Sequence, residues 1–317
     1  MVTISLRAAH MRIAPRQHRP RDARDAPWFP RPRCHQQPGR PAARSLPPLP
    51  PDFRLGTLDR VDARSALFDL YGDHLRSRGG RAPVAALVRL LAPLGITPPA
   101  VRTAVSRMVR QGWLEPARMP AGAGYALSRR ATHRLDEAAD RIYRRTRHEW
   151  DGRWHLVVAE RMRERSARER LRAAFGYLGY APLDESTWIS PRPSPELDAL
   201  LDAERVRAQL FLAEYDGDDR GLAARAWDLD GLARAYQRWL DAADELLTPP
   251  EAEPADEIAF AVRSRLVHEW RKFLFSDPGL PPELLPPQWP GRKAAELFDA
   301  EAARLLPAAA RFVDRCL

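Results

Sequence analysis

Cysteine is nearly absent: among 317 residues only Cys34 and Cys316 are cysteines, close to opposite ends of the chain. Two thiols so placed exclude a disulfide scaffold and any Cys-rich zinc site. Long apolar runs are missing too. No stretch approaches the roughly 18 apolar residues of a membrane-spanning helix, and Arg7, His10 and Arg12 interrupt the start of the chain where a secretory signal would be apolar. These absences predict a soluble cytoplasmic protein. Catalytic signatures are also wanting: there is no G-x-S-x-G elbow, no G-x-G-x-x-G after a strand, no Gly-rich GK[ST] loop and no H-E-x-x-H. His268 and Glu269 are adjacent, so a regular helix cannot aim both side chains at one metal. The balance favours a binding protein over an enzyme.

What is present is enough to bury real cores, with 44% apolar and 29% charged residues over a length of about two domains, or three small ones. The net charge of +9 is unevenly spread. Residues 1–56 carry eleven arginines against Asp22, Asp25 and Asp52, a balance of +8; residues 57–149 carry seventeen against nine acids, again +8; residues 150–317 come to −7. A basic front and an acidic back call for different partners, a polyanion for the first.

Residues 1–56 hold eleven of the 31 prolines and no apolar period, which predicts a disordered extension. The favoured reading is a dispensable or mis-started Arg/Pro-biased extension; a basic arm that lengthens DNA contact is the functional reading, and a transit peptide a weaker one. From Val61 the pattern changes. Ala66, Leu67, Leu70, Tyr71 and Leu75 recur at helical spacing and stop at Gly79-Gly80; Val84, Leu87, Val88, Leu91 and Leu94 mark a second helix ended by Gly95. Thr97-Pro98 supplies an N-cap and a first-turn proline for a third helix running to Gln111, with Gly112 at its stop.

The third helix is the most informative segment. Val101, Ala104, Val105, Met108 and Val109 form one stripe; Arg102, Thr103, Ser106, Arg107 and Arg110 occupy the other face, which has no acid. A merely solvated face in so acid-rich a chain would mix signs, so this set suits phosphates and base edges in a major groove. Trp113-Leu114 and Tyr125-Ala126-Leu127 then read as short strands around a Pro/Gly-rich turn over 115–124 that carries Arg118. Three helices followed by a hairpin is the winged-helix arrangement. A long helix from about Arg129 to Thr146 turns Leu135, Ala138, Ile142 and Tyr143 inward and leaves Arg141, Arg144, Arg145 and Arg147 on a solvated face.

RSALFDLYGDHLRSRGG from Arg64 and ITPPAVRTAVSRMVRQGWL from Ile96 resemble the phenylacetic acid degradation repressor family, PaaX. The likeness continues, in the family's order, through YALSRR from Tyr125, RIYRR from Arg141, WDGRWHLV from Trp150, TWISP from Thr187, RAWDLD from Arg225 and LVHEWRKFLFSDPGLPPELLPPQWPG from Leu266. It covers about residues 60–317. The resemblance implies an α+β homodimeric repressor of aromatic-acid catabolic operons, released from DNA by phenylacetyl-coenzyme A. The parts it implies are a winged helix-turn-helix over 57–149, a ferredoxin-like (Cas2-like) middle domain over 150–229 and a mostly helical domain over 230–317. Carried onto this chain, the recognition helix falls on 98–111 and the wing on 113–127.

The acidic half reads as α+β from its own residues. Trp154 to Ala159, Thr187 to Ser190 and Gln209 to Tyr215 are strand candidates, Leu171, Ala174, Phe175 and Leu178 a helix face, and the Arg/Glu-dense run from Glu160 to Arg172 a salt-bridged surface such as Arg165 with Glu169. Resemblance to Cas2 nucleases raises a metal-dependent alternative, with Glu160 nearest the first strand and Asp216, Asp218 and Asp219 after another. A polar turn is the competing reading of those acids. For an acyl-coenzyme A effector, which needs an apolar slot and cations, the candidates are His268, Trp270, Arg271, Lys272 and Trp289, with Lys293 nearby. Core packing of the tryptophans and an ion pair for Arg271 are the competing reading. A constitutive architectural DNA-binding protein is a third possibility.

Overall fold

The computed structural model describes residues 61–120, 122–142, 149–247 and 255–317. The Arg/Pro-rich extension lies outside the described residues, as do Tyr143, Arg144, Arg145 and Arg147.

Helix α1 (Ala63–Leu70) starts at Asp62, whose carboxylate accepts from the backbone N–H groups of Arg64 at 2.9 Å and Ser65 at 3.3 Å. The chain continues through a π-helical turn, Tyr71–Leu75, and a 3-10 turn that stops at Gly79 with φ 84°. After β1 (Arg81–Pro83), α2 (Val84–Leu91) tightens into a 3-10 turn and ends at Gly95, φ 75°. Then follow α3 (Pro98–Arg110), β2 (Leu114–Met119), β3 (Gly122–Leu127) and α4 (Arg129–Ile142). The strands form an antiparallel sheet in the order β1-β3-β2, with Ala82 opposite Tyr125 and Arg118 opposite Ala123.

The expected turn over 115–124 is therefore mostly paired strand. Proline at 116 is tolerated because β2 lies at the sheet edge. Gly124 is required where β1 crosses: a Cβ there would stand 2.6 Å from the Ala82 carbonyl oxygen.

The central segment runs β4 (Arg153–Ala159), α5 (Arg165–Tyr177), β5 (Ala181–Pro182), β6 (Thr187–Ser190), α6 (Leu197–Glu204), β7 (Ala208–Glu214) and α7 (Asp219–Ala226). Its antiparallel order β5-β6-β4-β7 with β-α-β-β-α-β connectivity is ferredoxin-like. Val157, Leu171, Phe175 and Trp188 fill the core between sheet and helices, with the Phe175 and Trp188 rings stacked at 4.6 Å. Arg165 and Glu169 pair at 2.8 Å on the exposed face of α5, as their spacing predicts.

Three long helices close the chain: α8 (Leu229–Leu247), α9 (Asp256–Trp270) and α10 (Pro290–Cys316). Trp239, Trp270 and Phe298 centre their core, the last two stacked at 4.7 Å. A second face of α9 and α10 places Phe260, Ala309, Val313 and Cys316 in the same core as Leu67, Tyr71, Leu87 and Met108 of the amino-terminal helices.

The chain divides into two compact units. One holds Glu149–Asp228 together with Pro278–Pro286; the other joins the described residues within Leu58–His148 to Leu229–Asp277 and Pro287–Leu317. The first and last of the second unit's segments share a core. That union was invisible to local periodicity, because the apolar stripe of a helix does not name its partner. Among the described residues no helix is long and apolar enough to cross a membrane.

Candidate nucleic-acid interface

Helix α3 carries the candidate site. Thr97 takes the N-cap position in extended geometry, although its side chain makes no capping bond, and Pro98 occupies the first turn. At the other end the Trp113 N–H donates to the Met108 carbonyl at 2.9 Å and Gly112 turns left-handed at φ 70°. Val101, Ala104, Val105 and Met108 are buried, which fixes the rotation of the helix. Arg102, Thr103, Ser106, Arg107 and Arg110 are all exposed, as the stripe predicts. The structure thus brings five of the six nominated DNA-facing residues onto one surface.

The sixth, Arg118, is exposed on β2 near the hairpin tip, opposite Ala123. Ala123 in turn lines an open recess of about 460 Å³ with Pro83, Val84, Ala85, Val88 and Arg102, so hairpin, α2 and α3 meet around one arginine. Sequence reasoning missed this junction, since β1 is only three residues long. It also missed Arg130 at the start of α4, whose guanidinium lies 5.0 Å from the Trp113 ring centroid. The two residues are 17 positions apart, and Trp113 is half-buried against Phe68 at 5.1 Å, so nothing in the local pattern pairs them.

The nominated ligand residues lie along or near α9, and their polar groups are engaged. His268 Nδ1 is 2.7 Å from Asp69 Oδ2, and Arg271 Nε is 2.5 Å from Asp69 Oδ1. Lys272 pairs with Glu269 at 2.7 Å. Trp270 is buried, stacked on Phe298, and its indole N–H donates to the Ile142 carbonyl at 3.2 Å. Trp289 is half-buried at the N-cap position of α10, edge-on to Tyr236 at 6.0 Å.

The acidic candidates of the central domain do not converge. Asp219 accepts from the Trp154 indole N–H at 2.7 Å, Asp218 stands at the N-cap position of α7, Asp216 is exposed, and Glu160 lies 3.8 Å from Arg207. Among the described residues no group of three His, Cys, Asp or Glu side chains is placed to hold a metal ion. His155 and Tyr180 make a buried pair, Nδ1 to hydroxyl 2.6 Å. Burial lowers the histidine and pushes the Tyr180 phenol up to about 12, so both are held neutral.

An exposed, acid-free arginine face on a helix marks a candidate nucleic-acid-binding protein. Comparison with known proteins names the family. The PaaX-like protein family matches residues 62–131, the PaaX protein central Cas2-like domain residues 147–223, and the PaaX-like protein C-terminal domain residues 227–315. Transcriptional repressor PaaX of Escherichia coli (strain K12) is 31% identical over 265 residues, covering 80% of this chain and 83% of that protein. A solved structure of an uncharacterized protein from Mycobacterium tuberculosis is 26% identical, with a TM-score of 0.53, covering 81% of this chain and 99% of that one. The chain belongs to the PaaX-like family.

Proposed function

We propose that this chain is a DNA-binding transcriptional repressor of an aromatic-acid, phenylacetate-type catabolic operon, acting as a cytoplasmic homodimer. Its amino-terminal elements work as a winged helix-turn-helix, α3 in the major groove and the β2/β3 hairpin as the wing. The observation that carries this reading is the α3 surface: three arginines and two hydroxyl residues, all exposed, with no acid among them. Identity to a named repressor over four-fifths of the chain adds support.

Support for the dimer comes from β7, an edge strand on which Leu210, Phe211 and Leu212 are consecutive and exposed. Such an edge in a single copy is a pairing template. Two copies of α3 then address two half-sites.

Release from the operator requires an effector with different affinities for the two states. We assign that role to an aromatic acyl-coenzyme A, phenylacetyl-coenzyme A first, with His268, Trp270, Arg271, Lys272 and Trp289 around its seat. Because the cations there already hold Asp69 and Glu269, a thioester that uses them exchanges its phosphates for those carboxylates. The test is fluorescence anisotropy on a labelled duplex selected from a random pool by the full chain, followed by a panel of acyl-coenzyme A thioesters. A repressor binds the duplex and is released by an aromatic thioester. Binding insensitive to the whole panel refutes the effector, and cleavage of the duplex in Mg²⁺ or Mn²⁺ refutes the repressor reading in favour of a nuclease.

A further inference from the structure

Asp69, in the last turn of α1, and Asp73, in the π-helical turn that follows, are buried carboxylates facing α9. Asp73 accepts from Arg263 twice, from Nε at 2.8 Å and Nη2 at 2.7 Å, and the two side chains are 6% and 4% exposed. The remaining Nη1 of Arg263 donates to the Ala302 carbonyl of α10, so one guanidinium ties α1's extension to both carboxy-terminal helices. Asp69 is held by His268, in the last turn of α9, and by Arg271 at its C-cap. His74 is buried beside the same cluster, 3.2 Å from Asp73 with its ring tilted on Phe260 at 5.2 Å.

Buried ion pairs add little stability over an apolar pair of the same shape, because desolvation offsets their attraction. Any slip that separates them is heavily penalised, so their attested use is to fix register. The register fixed here is that of α1 against α9. Helix α1 shares its core with Val101, Ala104, Val105 and Met108, the stripe that sets the rotation of α3. Wide π-helical turns of this kind concentrate at functional positions.

We propose that Asp69 and Asp73, with Arg263, His268 and Arg271, form a register lock through which α9 and α10 hold the arginine face of α3 in its DNA-binding position. They are positioning residues for recognition, and the carboxy-terminal helices are part of the DNA-reading module. The inference rests on the assignment of α3 as the recognition helix.

The decisive experiment compares the full chain with the D73L/R263M double variant, which replaces the Asp73–Arg263 pair of the lock with apolar side chains and leaves the Asp69 pairs in place. Operator affinity on the selected duplex and the thermal midpoint are read together. The lock predicts a midpoint within about 4 °C of the parent and an affinity weaker by roughly tenfold. Parent-like affinity at a parent-like midpoint overturns it. Should the double variant fail to fold, Asp69→Asn decides: it keeps the shape and an acceptor for His268 but removes the charge, so reduced affinity in a folded chain supports the lock and unchanged affinity overturns it. R102A/R107A is the control. If that control loses binding while the lock variants keep it, the lock alone falls; if the control binds like the parent, the α3 reading falls and the lock with it.

Discussion

Asp219→Ala isolates what the acid in the first turn of α7 does. In the parent, the Asp219 carboxylate accepts the only polar hydrogen of Trp154, a side chain 1% exposed and enclosed by Trp150 and Trp227 at 5.4 and 6.1 Å. Truncation orphans a buried indole N–H, which costs about 1–3 kcal/mol. Urea unfolding followed by far-UV circular dichroism reads that loss as a lower midpoint. A double-mutant cycle gives the sharper test. In a W154F background the donor is gone, so Asp219→Ala retains only the effect of an acid in the first turn of α7, about 0.3–1 kcal/mol. A metal-ligand role predicts the reverse pattern: Mg²⁺ or Mn²⁺ raises the parent's midpoint and leaves the variant's unchanged. Equal losses in both backgrounds, or none in either, refute the hydrogen-bond account.

Three further outcomes follow from the same structure. Gly124→Ala places a Cβ 2.6 Å from the Ala82 carbonyl, so β1 is pushed off the sheet and the thermal midpoint drops by several degrees; a parent-like melt contradicts that packing. If the proposed dimer forms through β7, Leu212→Glu, at a side chain 52% exposed on that strand, yields a monomer in light scattering where the parent is a dimer; a variant that stays dimeric rules β7 out as the seam. Burial holds His74 below its ordinary 6.5, outweighing the Asp73 carboxylate that raises it. The native state therefore binds fewer protons than the unfolded chain just below 6.5, and stability is complete above that value and falls as pH drops through it. His155 shifts in the same direction. Thermal midpoints between about pH 7.5 and about pH 5.5 fall accordingly, and His74→Leu flattens the slope; an unchanged slope contradicts the assignment.

Much of the DNA-facing half was legible in the sequence because its signals are local. Stripes at helical spacing, Pro98 in a first turn and glycines at 79, 95 and 112 each act within one element, and all three glycines are left-handed in the structure. Strands β1 and β5, three and two residues long, carry no period to read. Pro116 and Gly124 look like turn residues, yet one sits on an edge strand and the other beneath a crossing backbone. The ion partners of α9 were illegible for a different reason. Arg263 and Asp73 are 190 positions apart, and a basic residue next to an aromatic on a helix reads as a ligand seat until the facing carboxylate is in view. Trp270 illustrates the same limit, since its spacing fits a pocket wall as well as the core it occupies.

The central claim is that α3 reads DNA with its arginine face, and the most direct measurement is the affinity of R102A and R107A for the selected duplex at fixed salt. The account predicts folded proteins whose binding is weaker by about 1–3 kcal/mol for each lost base contact. A side chain touching only phosphate instead weakens every duplex alike and reduces the salt slope by about one. Parent-like affinity and salt dependence in both variants contradict the account.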